Sequence, residues 1–382
     1  MPESNLELRL RAQLAKLDAE GLSRCLRPPA GIDLSSNDYL GLSAHPLLRQ
    51  RMAEAVAREG CGSTGSRLLR GDRTSFTRLE ERFAAFQGRE RALYFSSGYL
   101  ANLAVLTTFP EPGDLLYSDE RNHASLIDGI RLSRAQRRIF PHQDVAALAR
   151  LLRQEPGQKF VITESVFSMD GDMAPLAEYA ELCRSTGAAL LVDEAHAVGI
   201  YGTRGSGLLE ATGTDAFVSI STAGKALGVS GAFVAGPDWA IDYLIQRARP
   251  FIFSTAPPPS VAAALDASLT VIEQEPWRRV QLRARARYLR RRLAEAGIAV
   301  PDGESQIVPV VLGDNQRALQ VADSLQQAGF DVRAIRPPSV AAGTARLRLS
   351  VHTDLTEATL DRFVALLAGA LKESAACTAA CL

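Results

Sequence analysis

The sequence lacks a net charge, a long apolar run and an apolar leader, and each absence excludes a class of protein. The 43 Lys and Arg residues equal the 43 Asp and Glu residues, so no overall field would gather nucleic acid or an anionic membrane. No stretch of about 18 apolar residues could cross a bilayer, and the charged start MPESNLELRLR is not typical of a secretory signal. We therefore expect a cytoplasmic protein with no nucleic-acid or membrane partner.

Cysteine and lysine are also scarce. The cysteines are scattered, form no C-x-x-C pair, and lie at Cys25, Cys61, Cys183, Cys377 and Cys381. This spacing favours reduced thiols over a disulfide framework or a zinc site, so no metal is expected. Lysine occurs only at positions 16, 159, 225 and 372, and arginine supplies the other basic side chains. Each lysine is therefore informative.

Short apolar runs with β-branched or aromatic residues alternate with amphipathic stretches of helical period. The predicted strands are residues 92–95, 115–117, 160–163, 189–192, 217–220 and 232–235. This alternation predicts an α/β fold with a large, mostly parallel sheet that is covered on both faces.

Three regions are predicted along the chain. Residues 1–40 form a helix and an extended arm, residues 41–275 form a large domain, and residues 276–382 form a smaller C-terminal α/β domain. In the last region the pattern predicts strands at 307–312, 331–335 and 346–351, and helices at 316–328 and 356–371.

Two glycine motifs resemble phosphate-binding loops but lack the required context. Residues 60–65 fit G-x-G-x-x-G, yet they follow a predicted helix, whereas a dinucleotide fingerprint must follow a strand. Gly224-Lys225 resembles the end of a Walker A loop, but Ser219 stands at the position of the earlier glycine and Ala226 follows the lysine. Nucleotide binding is therefore not expected.

Polar residues follow several predicted strands, at the sheet edge where open α/β proteins bind ligands. Lys225 has small or apolar neighbours, and burial there would lower its pKa and leave an amine that can attack an aldehyde. Attachment of pyridoxal phosphate requires such an amine. The alternative is a surface lysine in a turn.

Asp193 ends an apolar run, where a buried carboxylate needs a cationic partner such as a protonated pyridine nitrogen. A solvated loop acid or helix cap is the alternative reading. His196 could hydrogen-bond the hydroxyl oxygen of the same ring, and His123 could lie flat against it. Either histidine could instead be structural.

Six segments together resemble the α-oxoamine synthase family, whose members are pyridoxal-phosphate enzymes that condense an amino acid with an acyl thioester. The segments are 36–42 (SNDYLGL), 123–126 (HASL), 163–172 (TESVFSMDGD), 192–196 (VDEAH), 222–225 (TAGK) and 342–349 (AGTARLRL). The resemblance extends nearly from end to end and implies the fold of aspartate aminotransferase, fold type I.

The resemblance also implies roles for individual residues. Lys225 would bind the cofactor aldehyde, Asp193 the pyridine nitrogen, His196 and Ser168 the ring substituents, and His123 would cover the ring and contact the substrate. The phosphate would be bound by Gly98, Tyr99, Thr222 and, from a second subunit, Ser254 and Thr255, which implies a homodimer with shared active sites. The substrate would be contacted by Arg348, as the ligand of the amino acid carboxylate, and by Asn37.

The acyl substrate is predicted from peripheral segments. Residues 334–340 (AIRPPSV) and Leu26-Arg27 are similar to segments of family members that join L-alanine to a pimeloyl thioester, and place Arg27 and Ser339 near the acyl group. Ser339 departs from the threonine usual there. The acyl carrier, coenzyme A or acyl carrier protein, stays open. The alternatives are a glycine-using family member, an aminotransferase, and a non-catalytic binding module on the same fold.

Overall fold

The computed structural model describes residues 4–380, with side chains as far as residue 374. Cys377 and Cys381 therefore lie outside the described side chains. Cys25 and Cys61 are exposed free thiols, and Cys183 is a buried one. Among the described residues, no helix combines the length and apolarity needed to cross a membrane.

The helices and strands alternate along most of the chain. The helices are α1 (Asn5–Ala19), α2 (Pro46–Glu59), α3 (Thr74–Gln87), α4 (Gly98–Thr108), α5 (Ala124–Leu132), α6 (Val145–Gln154), α7 (Leu176–Thr186), α8 (Leu208–Thr212), α9 (Asp238–Arg247), α10 (Arg249–Ile252), α11 (Pro259–Gln274), α12 (Trp277–Glu295), α13 (Asn315–Gln327) and α14 (Glu357–Ala380). The strands are β1 (Ile32–Asp33), β2 (Arg91–Phe95), β3 (Leu115–Asp119), β4 (Gln136–Phe140), β5 (Lys159–Glu164), β6 (Ala189–Asp193), β7 (Val218–Thr222), β8 (Ala232–Gly236), β9 (Ile307–Gly313), β10 (Phe330–Asp331), β11 (Ala334–Ile335) and β12 (Ala345–Ser350). A π-helical turn occupies Arg67–Gly71.

The described residues form two compact units. The large unit contains 37–168 and 172–281, and the small unit contains the residues up to 36, Met169–Gly171 and the residues from 282 onward. The boundaries predicted after residues 40 and 275 fall a few positions from the changes after 36 and 281, and the predicted N-terminal arm belongs to the small unit.

A seven-stranded sheet forms the centre of the large unit, in the order β2-β8-β7-β6-β5-β3-β4. Strand β8 is antiparallel to both of its neighbours, and the other pairs are parallel. The six strands predicted for this sheet are all present. The expected α/β class with a mostly parallel sheet is therefore confirmed.

Buried apolar side chains explain why these segments form central strands. Residues of β5 are buried on both faces, as is typical of strands covered by helices on both sides. Phe95, Ile162, Leu191 and Ile220 belong to one core cluster that also includes residues of α4. Burying each such side chain contributes about 1.5–3 kcal/mol.

The carboxyl ends of β2, β3, β5, β6 and β7 lie at one edge of this sheet, because these strands run in the same direction. Open α/β sheets bind ligands at this edge. The segments that follow these five strands begin at Ser96, Glu120, Ser165, Glu194 and Ala223. They bring distant parts of the sequence together.

The small unit contains a three-stranded antiparallel sheet, β11-β12-β9, and the parallel pair β1-β10. The single strand predicted at 331–335 is wrong, because Phe330–Asp331 pairs with β1 whereas Ala334–Ile335 pairs with β12. The chain changes from one sheet to the other between these two short strands. The other predicted strands and helices of this region are present as β9, β12, α13 and α14.

Candidate active site

Lys225 and His196 meet at the carboxyl edge of the large sheet. Lys225 follows β7 by three residues and is half-buried, whereas His196 follows β6 by three residues and is buried. The Lys225 Nζ lies 2.8 Å from the His196 Nε2, within hydrogen-bond distance. Two residues that the sequence singled out separately therefore form one cluster.

Tyr39 extends this cluster to Asn37. The Tyr39 hydroxyl donates to Asn37 Oδ1 at 2.9 Å and lies 2.7 Å from His196 Nδ1. Because a hydroxyl has a single proton, Tyr39 must accept from the Nδ1–H of His196, which leaves Nε2 as an acceptor facing Lys225. The sequence predicted Asn37 as a site residue but missed Tyr39, although Tyr39 lies in the same SNDYLGL segment.

Asp193, the last residue of β6, is buried and hydrogen-bonded through both oxygens. Its Oδ2 accepts from the Nδ2 of Asn102 at 2.7 Å, and its Oδ1 accepts from the backbone N–H of Ala195 at 2.9 Å. Asn102 lies on α4 and was missed by sequence reasoning. A buried polar residue in an otherwise apolar helical run (ANLAVL) was the signal that could have identified it.

His123 is held in a defined orientation at the N-terminus of α5. Its Nδ1 accepts from the backbone N–H of Ser125 at 3.2 Å and lies 2.8 Å from the Ser125 hydroxyl oxygen. That oxygen accepts from the Nδ2 of Asn102 at 2.8 Å, so its proton is directed to His123. Burial lowers the pKa of the His123 imidazole, against an opposing effect of the Asp193 charge. The ring is therefore neutral at neutral pH.

Glu164, the last residue of β5, is paired with Asp193 of β6 at the same edge of the sheet. Its Oε2 accepts from the backbone N–H of Ser168 at 3.2 Å, and its Oε1 has no hydrogen-bond partner. Burial and the neighbouring Asp193 raise the pKa of the Glu164 carboxyl to about 8, with Lys225 opposing. Sequence reasoning predicted Ser168 but missed Glu164, which ends a buried strand as Asp193 does.

The N-terminus of α4 supplies a second kind of binding group. The hydroxyl of Ser97 caps the helix by accepting from the N–H of Leu100 at 3.2 Å, and the first N–H groups of the helix belong to Gly98 and Tyr99. A Cβ added to Gly98 would lie 2.6 Å from the Oγ1 of Thr222. A helix N-terminus beside a hydroxyl is suited to binding a phosphate.

These groups fit pyridoxal phosphate. The site combines an amine on Lys225, a buried carboxylate on Asp193, an acceptor nitrogen on His196 and a space beside Gly98 that a side chain would fill. The first three suit the aldehyde, the ring nitrogen and the ring hydroxyl of this cofactor, and the helix N-terminus suits its phosphate.

Ser254 and Thr255 follow α10 in the large unit. Thr255 is exposed and forms an isolated β-bridge with Ser66, and the nearby Ser63 hydroxyl donates to the Pro257 carbonyl at 2.6 Å. These contacts fix the segment against the loop that precedes the π-helical turn. Supply of Ser254 and Thr255 to a neighbouring subunit stays a prediction.

The remaining predicted substrate residues belong to the small unit. Arg348 lies on β12, is buried, and donates from Nη1 to the Ser350 hydroxyl at 2.7 Å. Arg27 is exposed and donates to Asp323 Oδ1 and Gln326 Oε1, both at 3.0 Å. Ser339 is exposed, and its N–H donates to the Arg336 carbonyl at 3.1 Å. Their contacts with substrate stay predictions.

Comparison with known proteins places this chain in a family. The family described as aminotransferase class I and II matches residues 29–367. The chain belongs to this family. The expected fold type I architecture agrees with this match and with the solved structures below.

Similar proteins of known name share most of the chain. It is 48% identical over 379 residues to an 8-amino-7-oxononanoate synthase of Anaeromyxobacter dehalogenans, covering 95% of each protein. It is 46% identical over 364 residues to one of Burkholderia pseudomallei, covering 90% of this chain and 92% of the relative.

Solved structures show the same architecture. A serine palmitoyltransferase variant from S. paucimobilis with a bound PLP–myriocin aldimine has a TM-score of 0.91 at 30% identity, covering 98% of this chain and 100% of that one. An 8-amino-7-oxononanoate synthase from Francisella tularensis has a TM-score of 0.79 at 30% identity, covering 90% and 98%. Both solved structures therefore share the fold of this chain.

Proposed function

We propose that the protein is an 8-amino-7-oxononanoate synthase, an acyltransferase of biotin biosynthesis. It condenses L-alanine with a pimeloyl thioester and produces 8-amino-7-oxononanoate, carbon dioxide and a free thiol. The observation that most supports this choice is the 48% identity over 95% of both chains to a relative of that name. The cofactor is pyridoxal phosphate.

The cofactor supplies a cationic ring that withdraws electrons and so stabilises negative charge at the α-carbon of the amino acid. Lys225 would hold the cofactor through its Nζ and would accept the α-proton of the amino acid as a general base. Its Nζ is close to the His196 Nε2, at 2.8 Å, so His196 can orient the amine as well as bind the ring hydroxyl.

Asp193 would act on the ring nitrogen of the cofactor, and His123 on the face of the ring. Asp193 keeps the ring nitrogen protonated, because its buried carboxylate favours a cationic partner. His123, a neutral imidazole oriented by Ser125, would cover the ring face and exclude water from it. Ser168 binds a ring substituent beside His196.

The residues that the sequence resemblance indicates for substrate binding would have the following roles. Arg348 binds the amino acid carboxylate with its planar guanidinium, and Asn37 contacts the same substrate. Arg27 and Ser339 contact the acyl group. The thioester is carried either by coenzyme A or by an acyl carrier protein.

We further propose that two copies of the chain form a homodimer with shared active sites. The large unit has a groove of about 1010 Å³ whose lining includes Leu103, Leu132, Tyr243 and Phe253. Leu132 is 62% exposed and Phe253 is 70% exposed. Large apolar side chains grouped in this way are typical of protein interfaces. Ser254 and Thr255, next to Phe253, would then reach the phosphate of the partner subunit.

Substrate choice is tested by measuring thiol release from pimeloyl-CoA with the cofactor-loaded protein, using L-alanine or glycine as the amino acid. We expect release that depends on L-alanine and is accompanied by carbon dioxide. A preference for glycine would assign the protein to a glycine-using family member. Transfer of the amino group to a 2-oxo acid without thiol release would indicate an aminotransferase.

Lys225→Ala provides the matched control. The variant should lose turnover by several orders of magnitude, because it lacks the amine that would hold the cofactor and move the α-proton. Near-native turnover in this variant would contradict the role of Lys225. Failure of both the native protein and the variant to release thiol or transfer amino groups would favour a non-catalytic binding module.

A further inference from the structure

Two buried carboxyl groups lie side by side in the site. Glu164 and Asp193 are paired residues on the adjacent parallel strands β5 and β6, so their side chains project from the same face of the sheet. They are only 3% and 6% exposed. Two negative charges on neighbouring buried side chains repel each other, so ionisation of both carboxyls at once is disfavoured. One of the two carboxyls therefore retains a proton.

The hydrogen bonds indicate which carboxyl retains it. Both oxygens of Asp193 accept from N–H donors, at 2.7 Å from Asn102 and 2.9 Å from Ala195, and such donors favour the ionised form. Glu164 receives the Ser168 N–H on Oε2, while Oε1 is buried with no hydrogen-bond partner. An ionised oxygen without a donor is more costly to bury than a neutral O–H. These contacts favour the proton on Glu164.

Charged and titratable groups reach Glu164 from three directions. Asp193 lies on β6, Lys225 lies after β7, and His123 lies between β3 and α5, as the N-cap of α5. Burial and Asp193 together raise the pKa of Glu164 to about 8, whereas Lys225 opposes them. His123 faces Glu164 through its backbone N–H, and its imidazole is neutral. Lys225 is thus the one positive charge among these groups.

We propose that Glu164 is protonated in the cofactor-free protein and releases its proton to solvent when the cationic ring nitrogen of the cofactor pairs with Asp193. The added positive charge offsets the repulsion between Asp193 and an ionised Glu164, and so favours the ionised form of Glu164. Its carboxylate then becomes a second negative charge that holds the ring nitrogen protonated. Only a proton changes place, from Glu164 to the buffer. The proposal depends on the cofactor and not on the identity of the substrates.

Proton release can be counted by isothermal titration calorimetry. Pyridoxamine 5′-phosphate, which has the same ring nitrogen but cannot bond covalently to Lys225, is titrated into the full-length cofactor-free protein in buffers of different ionisation enthalpy. At pH 7.5 we expect the native protein to release about 0.7 to 0.8 more protons per site than Glu164→Gln, the protonated fraction of a group with a pKa of about 8. Equal release by the two proteins would overturn the proposal.

Glu194→Gln is the matched control. Glu194 is the residue after Asp193 and is also a buried carboxyl, but its Oε1 accepts from the N–H groups of Leu208 and Leu209, at 2.6 and 3.0 Å, and burial raises its pKa only to about 7. A group with that pKa carries about 0.2 protons at pH 7.5, so this variant should release at most about 0.2 fewer protons per site than the native protein. A loss equal to that in Glu164→Gln would show that the effect is not specific to Glu164 and would overturn the proposal.

Infrared difference spectroscopy provides a test that needs no variant. Native protein labelled with ¹³C-carboxyl glutamate should lose the band of a protonated glutamic acid when pyridoxamine 5′-phosphate binds. Persistence of that band would contradict the release. Absence of binding would overturn both this proposal and the cofactor assignment, whereas failure of the alanine-dependent thiol assay would affect only the proposed substrates.

Discussion

His196 lies between two partners that determine which of its ring nitrogens carries a proton. Tyr39 contacts Nδ1 at 2.7 Å, and Lys225 contacts Nε2 at 2.8 Å. Because the Tyr39 proton is directed to Asn37, the imidazole must present its unprotonated Nε2 to the reacting centre. Tyr39 thus acts through His196 and is a positioning residue.

Tyr39→Phe should lower kcat/KM by about tenfold, because loss of one hydrogen bond to a catalytic group costs roughly 1–2 kcal/mol. The pH dependence of the absorbance of the bound cofactor should shift as well, since the His196 tautomer is no longer fixed. Steady-state assays and a spectrophotometric pH titration measure the two effects. Tyr179→Phe is the control, because the buried Tyr179 hydroxyl has no hydrogen-bond partner. An unchanged titration in Tyr39→Phe would exclude the positioning role.

Single residues were predictable from the sequence where the local pattern was enough. Lys225, Asp193 and His196 could be identified because each ends or closely follows a buried strand. Tyr39 and Asn102 were missed because their roles depend on partners 157 and 91 positions away along the chain. No local pattern contains that information. A single sequence therefore indicates the residues at the strand ends better than those that support them.

At the level of elements, the α4 N-terminus depends on Gly98. A Cβ at this position would lie 2.6 Å from the Thr222 Oγ1, closer than a non-bonded contact allows, so either α4 or Thr222 would have to move. The helix N–H groups and the hydroxyl would then no longer converge on one phosphate. Glycine is required here for the close approach.

Gly98→Ala should raise the dissociation constant for pyridoxal phosphate by about tenfold or more, as expected when one or two charge-assisted hydrogen bonds worth roughly 1.5–3 kcal/mol each are weakened. An absorbance or fluorescence titration of cofactor-free protein measures this. Gly62→Ala is the control, because an added Cβ at Gly62 meets no atom within 4 Å. Equal affinities for the two variants would exclude the proposed phosphate site.

His142 connects three elements in the large unit. Its Nδ1 lies 2.9 Å from Asp119 at the end of β3, and its Nε2 lies 2.5 Å from Asp172. Asp172 closes the loop that contains Ser168, through a hydrogen bond from the Phe167 N–H to its carbonyl. Burial opposes protonation of His142, but the two carboxylates outweigh it and raise the pKa to about 9.

This pair of contacts predicts a pH-dependent stability. A histidine whose pKa is raised on folding stabilises the native state fully below its unfolded value of about 6.5, and loses that contribution as pH rises toward 9. After allowance for solvent screening, the stability difference between native protein and His142→Asn should shrink by roughly 1–2 kcal/mol between pH 6 and pH 9.5. Denaturant unfolding at a series of pH values measures it. A difference that is constant across this range would contradict the ion pairs.

Elements were predictable where the apolar pattern was strong. All strands predicted for the large sheet are present, whereas β4 was missed because its sequence QRRIF is largely polar and the strand lies at the sheet edge, exposed along most of its length. Edge strands need no continuous apolar run, since one side of the strand faces solvent. The short strands β10 and β11 were merged for a related reason, because a change of sheet leaves no signal in an apolar pattern.

At the scale of the whole molecule, the question is whether one chain contains a complete active site. The groove around Leu132 and Phe253 bears on it, because two chains that associate there would share residues. The groove combines a large volume with exposed apolar side chains, and the segment beside it contains Ser254 and Thr255. If two copies meet there, association and phosphate binding are coupled, because each subunit would contribute hydroxyls to the site of the other. Cofactor affinity should then depend on protein concentration.

Leu132→Arg should convert the dimer into a monomer, because replacing an exposed apolar side chain of the groove by a charged one disfavours association by about 2 kcal/mol or more, roughly 30-fold in the dissociation constant. Sedimentation velocity measures the oligomeric state, and the cofactor dissociation constant should rise in the same variant. Ile139→Arg is the matched control, since Ile139 is 60% exposed against 62% for Leu132 but lies on the edge strand β4 outside the groove. If both variants stayed dimeric, the interface would lie elsewhere; if Leu132→Arg were monomeric with native cofactor affinity, the active sites would not be shared.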